Sequence, residues 1–202
     1  MKLAHFYEYK KQLEQAVYDL DPEPIMAAAD ILFEAWQNQK SVYIFGNGGS
    51  WSTAEHFACD LRKWSRTSGS GGVRAQALTL GPLVTAYAND HYYEEIFSRQ
   101  LNDLFQHGDV AVGISCGGSD NVMNALYLAW DIGKSILLTG LDTTVRMSFV
   151  KRLPPNKEFP DVIIRAGAPD IRVQEDMHLA VCHILAGEVK ERIAEVAEAV
   201  PA

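Results

Sequence analysis

In the stretch SVYIFGNGGSWSTAEHFACD, residues 41–60, an apolar run ends in a glycine-rich turn, and His56 and Asp60 follow four residues apart. On a helix that spacing puts both side chains on one face. Such a pair suits two ligands on one metal ion, or a carboxylate that orients an imidazole for proton transfer. The same spacing also occurs in solvated surface pairs that contribute a few tenths of a kcal/mol. The turn before it, Gly46-Asn47-Gly48-Gly49-Ser50, favours chemistry. A second turn of this kind, Ser115-Cys116-Gly117-Gly118-Ser119, follows another apolar run. Glycines let backbone N–H groups point to one spot, serines add hydroxyl donors, and a helix start behind each turn adds partial positive charge. Two such turns facing one crevice would clamp a phosphate group. The first turn lacks the Lys-Ser/Thr of an NTP-hydrolysing loop. It also lacks the GxGxxG spacing and downstream acid of a dinucleotide site.

Near the C-terminus, Glu175, Asp176, His178 and His183 stand among Met177, Leu179, Val181, Ile184 and Leu185. His178 suits a packing histidine. On a helix Glu175 and His183 lie about 80° apart around the axis and about 12 Å apart along it, whereas Gln174 falls on the opposite face. Glu175 and His183 can therefore meet one centre only if both lean inward or come from different subunits.

These residues need a frame to hold them. Residues 3–20 read as an amphipathic helix with Phe6, Leu13, Val17 and Leu20 on one side, and a second helix over 24–40 starts at Pro24. The period then changes. Short apolar runs at 42–45, 75–80, 109–115, 135–139 and 161–165 read as buried strands. Helical segments at 50–66, 92–105, 121–131, near 143–150 and over 170–199 alternate with them. Residues 67–72 and 154–157 read as loops. The alternation predicts an α/β fold, a doubly wound five-stranded parallel sheet with two leading helices and a long C-terminal helix. Ligands bind such sheets at the carboxyl ends of the strands, where both glycine-rich turns fall. The leading helical pair, residues 1–40, needs somewhere to bury its apolar stripe, and a subunit interface is one answer.

The 202 residues are 48% hydrophobic, enough for a single-domain core. A net charge of −8 argues against a nucleic-acid surface, and Arg62, Lys63 and Arg66 read as a solvated helix end. No apolar run is long enough for a membrane span, and the first residues lack a secretory signal's apolar core. Three cysteines, Cys59, Cys116 and Cys182, with no CxxC, point to free thiols and a cytoplasmic location. Cys116 lies in the second turn and Cys59 beside Asp60; most buried cysteines are inert fillers, a helix start allows a lowered thiol pKa, and alkylating Cys116 is expected to block ligand binding.

The chain resembles the sugar isomerase (SIS) domain proteins and, within them, the phosphoheptose isomerase group. GNGGS followed by HFACDL, ANDHYYEEIFSRQL, GDVAVGIS with its turn, and QEDMHLAVCHIL carry the resemblance, which spans nearly the whole chain as one SIS domain of flavodoxin-like type. It implies isomerisation of sedoheptulose 7-phosphate to a glycero-manno-heptose 7-phosphate by a homotetramer with its site at a subunit interface. Asn47, Gly48, Gly49 and Ser50 match the first substrate loop, Asn89 and Asp90 an Asn-Asp substrate pair, and Ser115 and Ser119 phosphate-binding serines, with Cys116 and Gly117 between them. His56 matches a zinc ligand. Asp60 stands where the group has a glutamate serving as ligand and acid/base, and His183 matches the second acid/base histidine. For a glutamine of the group that helps bind metal and substrate, counting back from His183 gives Glu175 and counting forward from the strand gives Gln174, and helix geometry favours Glu175. The implied zinc ligands are thus His56, Asp60, Glu175 and His183, with Asp60 and His183 as the acid/base pair of an enediol(ate) mechanism. Asp60 is one methylene shorter than the group's glutamate, and the second turn carries fewer hydroxyls. A different ketose phosphate, or a non-catalytic phosphosugar- or partner-binding role, are the competing expectations.

Overall fold

The computed structural model describes residues 3–140 and 159–199. Five strands, β1 (Ser41–Gly46), β2 (Arg74–Ala77), β3 (Val110–Ile114), β4 (Lys134–Thr139) and β5 (Val162–Arg165), form one parallel sheet in the order β2-β1-β3-β4-β5. This is the flavodoxin-like doubly wound order. The helices are α1 (Ala4–Tyr18), α2 (Pro22–Gln37), α3 (Gly49–Cys59), α4 (Gly81–Asp90), α5 (Ile96–Leu104), α6 (Asp120–Trp130) and α7 (Ile171–Ala199). A π-helical turn, Asp60–Trp64, continues α3, and a 3-10 turn, Tyr93–Glu95, precedes α5. The helix expected near 143–150 and the loop at 154–157 lie outside the described residues.

Strand residues alternate between two apolar layers because successive side chains point to opposite faces. Val42, Ile44, Val112, Ile136, Leu138 and Ile164 face the layer of α1, α2, α3 and α7. Tyr43, Phe45, Ala111 and Leu137 face that of α5 and α6. Val173, Met177, Val181, Leu185, Val189 and Ile193 run down α7 at helical spacing, all essentially fully buried. Side chains of this size each contribute about 1.5–3 kcal/mol on burial. That stripe makes α7 a rigid mount for the polar residues beside it.

Several boundaries differ from the sequence reading. The run at 75–80 leaves the sheet after Ala77, and α4 follows, a helix the reading did not contain. None of α4's residues is fully buried, and only the short side of Val84, Tyr87 and Ala88 packs on the core; Pro82 starts its first turn. The helix expected over 92–105 begins at Ile96. The second helix starts at Pro22 rather than Pro24, because Asp21 is its N-cap and accepts from Glu23 N at 3.0 Å. In α1 the buried side is Tyr9, Leu13 and Ala16, with Leu20 just beyond. Phe6 and Val17 are 56% and 57% exposed, which corrects their placement on the apolar side. Two bonds tie α1 to the start of α7. The Tyr9 hydroxyl donates to Asp176, a bond that with desolvation pushes its pKa up to about 12, and Gln12 Oε1 accepts from Asp170 N at 3.0 Å. Among the described residues no helix is long and apolar enough to cross a membrane.

Candidate active site

The sheet order reverses between β1 and β3, the place where a doubly wound sheet opens a crevice at its carboxyl edge. Both glycine-rich turns stand there. After β1, Ser50 N and Trp51 N bond back to Asn47 O and Gly48 O at 3.0 Å, closing the turn into α3. Gly48 has φ +55° and ψ −119°, a conformation that excludes ordinary side chains. Gly48 and Gly49 are exposed, and Ser50 is buried. After β3, Ser115 Oγ accepts from Ser119 N at 2.9 Å and lies 3.3 Å from Ser119 Oγ. Gly117 and Ser119 are exposed, Ser115 is buried, and Cys116 lies between them in exposure.

Asn121 joins the two turns. Its amide exchanges two hydrogen bonds with that of Asn47, Asn47 Nδ2 to Asn121 Oδ1 and Asn121 Nδ2 to Asn47 Oδ1, both 2.9 Å. Tyr93 adds its hydroxyl to Asn47 Oδ1 at 3.0 Å. Asn121 is 2% exposed and Asn47 half-buried, so the pair is a strut anchored in the interior at its Asn121 end. Sequence reasoning missed both Asn121 and Tyr93. The two asparagines are 74 residues apart, and only the place of Asn121 just after the second turn hinted at a role. Asn89 and Asp90 end α4, exposed, with Asn89 Nδ2 donating to Asp90 Oδ1 at 2.8 Å. Among the described residues neither bonds to the two turns.

Helix α7 runs beside α3 in the same direction, which separates the roles of its polar groups. Glu175 meets the first turn: a Cβ on Gly49 would lie 2.8 Å from Glu175 Oε1, so a side chain there would push that carboxylate aside. Gln174 points to the other turn: its Nε2 donates to Ala168 O at 2.6 Å, and its amide lies against Gly140, which bonds to Cys116 O. Two turns further along α7, His183 meets the pair on α3. His183 Nε2 stands 3.3 Å from His56 Nε2 and 3.7 Å from Asp60 Oδ2, and His56 Nε2 stands 3.5 Å from the same oxygen. Ligands at about 2.0–2.1 Å from a tetrahedral zinc ion lie about 3.3 Å from one another. Three lone-pair donors in this triangle therefore fit one face of such a site, with a fourth position open. Glu175 is outside the trio. Asp60 is the more enclosed member, its side chain 18% exposed against 49% and 48% for the imidazoles. The π-turn that holds Asp60 is fixed by Ser65 N bonding to Asp60 O at 3.0 Å and by Trp64, whose ring lies 5.2 Å from Lys190 Nζ of α7. Such insertions in a helix often mark functional positions.

His178 lies behind the second turn, 1% exposed, its Nδ1 3.9 Å from Cys116 Sγ. Burial lowers its pKa, partly offset by a bond to the Thr139 backbone, and its Nε2 has no partner among the described residues. Cys116 does not carry the activated thiol that its place beside a helix start allows. Burial, and then the Glu175 charge, push its pKa up to about 11. Cys182, fully buried near Asp60, is raised as well, again by desolvation first.

A family model for the SIS domain matches residues 5–136. The phosphoheptose isomerase of Geotalea uraniireducens (strain Rf4) is 37% identical over 198 residues, 94% of this chain and 96% of the relative. The chain belongs to the SIS domain family, within its phosphoheptose isomerase group. The phosphoheptose isomerase of Helicobacter pylori (strain Shi470) is 34% identical over 191 residues, 94% of each chain. Among solved structures, phosphoheptose isomerase GmhA from Neisseria gonorrhoeae superposes with a TM-score of 0.78 at 29% identity, covering 93% of this chain and 96% of that one. The fold of this SIS domain is thus shared over nearly its full length, leading helices included.

Proposed function

We propose that this SIS-domain protein is an aldose–ketose isomerase that interconverts sedoheptulose 7-phosphate and a glycero-manno-heptose 7-phosphate. The observation that carries the reading is the convergence of His56, Asp60 and His183 on the α3–α7 seam whose start meets the first glycine-rich turn at Gly49. The names of the relatives point the same way. In this reading Ser115, Ser119 and the backbone around Cys116 and Gly117 hold the phosphate, and its binding energy positions the far end of the sugar. Asn47, Gly48, Gly49, Ser50 and Glu175 line the sugar, with Asn89 and Asp90 at the rim.

The chemistry needs a base for the C1 proton of the ketose and an acid for its carbonyl oxygen. Asp60 and His183, 3.7 Å apart, can serve neighbouring carbons of one substrate. One removes the proton from C1 and the other protonates O2, giving the enediol. The proton then returns to C2 while O1 loses its own, giving the aldose. The donor set His56, Asp60 and His183 fits zinc, with Glu175 as a further ligand only if its side chain swings from Gly49. Zinc in that place supplies Lewis acidity toward the carbonyl oxygen. When Asp60 Oδ2 is committed to the ion, Oδ1 is the lone pair left for proton work.

We place the active form as a homotetramer with the 1–40 helices at an interface, in the cytoplasm. Phe6, Tyr7, Val17 and Tyr18 are exposed on α1, and both catalytic-side imidazoles are half open, as expected of a site completed by a second copy. The three free thiols suit a reducing compartment.

Proton NMR of sedoheptulose 7-phosphate in heavy water, with zinc and then with chelator, tests the function. Deuterium entering beside the carbonyl as an aldose signal grows is the expected result, and loss of exchange with chelator assigns the metal its role. A folded, ligand-binding protein that exchanges no proton would refute it.

A further inference from the structure

A hollow of about 440 Å³ opens at the amino end of β1 and β2, the end of the sheet opposite the two turns. Arg62, Arg66 and Arg74 line it, with Ser41 and Gln76 among its other walls. Among the described residues no carboxylate lines it. Among the described residues none of the three guanidinium groups makes an ion pair or a side-chain hydrogen bond. Glu55 lies across a neighbouring hollow that Arg62 also borders. In a chain of net charge −8, three unpaired arginines around one space are an exception. All three are exposed, so an anion placed in the hollow can be met by their guanidinium groups.

The walls are held in place. Val73 N donates to Leu61 O at 2.8 Å and lies 3.3 Å from Ser65 Oγ, and the Ser65 hydroxyl also bonds to Leu61 O. Trp36 Nε1 donates to Gly71 O at 2.9 Å. A Cβ on Gly72 would lie 2.2 Å from Arg62 O, so the strand leading into β2 passes the π-turn only as glycine. These contacts hold the backbone that carries Arg62 and Arg66 on one wall against the backbone that carries Arg74 on the other. Guanidinium groups match phosphate oxygens two at a time, and the volume is within the usual range for small-molecule sites, about 300–1,000 Å³.

The geometry points to a second anion site here, for a small molecule carrying two or more phosphate groups, separate from the sugar-phosphate site at the carboxyl end of the sheet. Calorimetric titration of the full-length protein with inorganic pyrophosphate tests it. The wild type is expected to bind at least one pyrophosphate per chain more than the double variant Arg62→Ala/Arg74→Ala. The charge-keeping variant Arg62→Lys/Arg74→Lys retains that binding at least tenfold more weakly, and high salt abolishes it in both. Unchanged binding of sedoheptulose 7-phosphate by the variants serves as the control for folding. Equal pyrophosphate binding by the wild type and the double alanine variant overturns the proposal, because all binding then belongs to the other end of the sheet.

Discussion

The turns after β1 and β3 end neighbouring strands and share a Gly-Gly-Ser pattern, yet they are built differently. The first leaves Gly48 and Gly49 exposed, with the Glu175 carboxylate against Gly49 and the His56, Asp60 and His183 trio further along the same helix seam. The second closes on itself, one serine hydroxyl accepting from the other serine's N–H, with a buried histidine and a high-pKa thiol behind it. Reactive groups gather at the first, and a stiff donor cradle forms at the second. The Asn47–Asn121 pair sets the distance between them. Similar composition has thus been given two tasks by what the rest of the chain packs behind each turn.

The contrast can be broken most strongly at α7, which sends His183 to the pair on α3 and His178 behind the second turn. His183→Ala should lower kcat by about 10²–10⁴, the usual value of a positioned acid or base, with sugar-phosphate affinity within a few-fold of wild type. A parallel loss of affinity would show that the division of labour is wrong.

Asn121→Ala removes the strut. It leaves the Asn47 amide with lost partners in a half-buried place, which should destabilise the fold by about 1–3 kcal/mol in denaturant titrations. KM should rise more than kcat falls, since the two turns lose the strut between them. A change in kcat alone would tie Asn121 to the chemistry instead.

His178, behind the second turn, gives a pH effect. Burial holds it neutral in the fold, with its pKa below the ordinary 6.5. The unfolded chain therefore takes up a proton on this residue first as pH falls. Its contribution to stability is full above about pH 6.5 and is lost as the pH drops toward the folded pKa. Melting temperatures between pH 7.5 and 5.5 should fall for wild type and fall less for His178→Asn; equal slopes would remove His178 as the cause.

The smallest effect is at Cys116. With its pKa at about 11, almost none of it is thiolate at pH 8, so brief iodoacetamide treatment should modify the exposed Cys59 and leave Cys116 and activity intact. Peptide mass mapping reads this directly. Rapid labelling of Cys116 would mean that the second turn is looser than its internal hydrogen bonds indicate.

Much of the frame was legible because buried parallel strands are continuous apolar runs, and residues 42–45, 109–115 and 135–139 have no competing period. Helix α4 was not legible, since it has no fully buried residue to mark its face. The partial reading of α1 failed for a related reason. Aromatic and branched residues occur on both of its sides, and only contact with α7 selects Tyr9, Leu13 and Ala16 over Phe6 and Val17. The His56–Asp60 pair was legible because four residues is one helical turn.

By itself, then, the sequence determined the α/β class, the two glycine-rich turns and the local pair on α3. These depend on periodicity and on conformational freedom within a few residues. The tertiary structure alone decided that His183 completes the trio while Glu175 stops at Gly49, and that Asn121 clasps Asn47. It also decided that Cys116 is a suppressed thiol and that three arginines share one hollow. Each of those is a distance or a burial between segments far apart in the chain. Such quantities are set by how α7 packs along α3 and how the π-turn meets β2, and no local pattern encodes them.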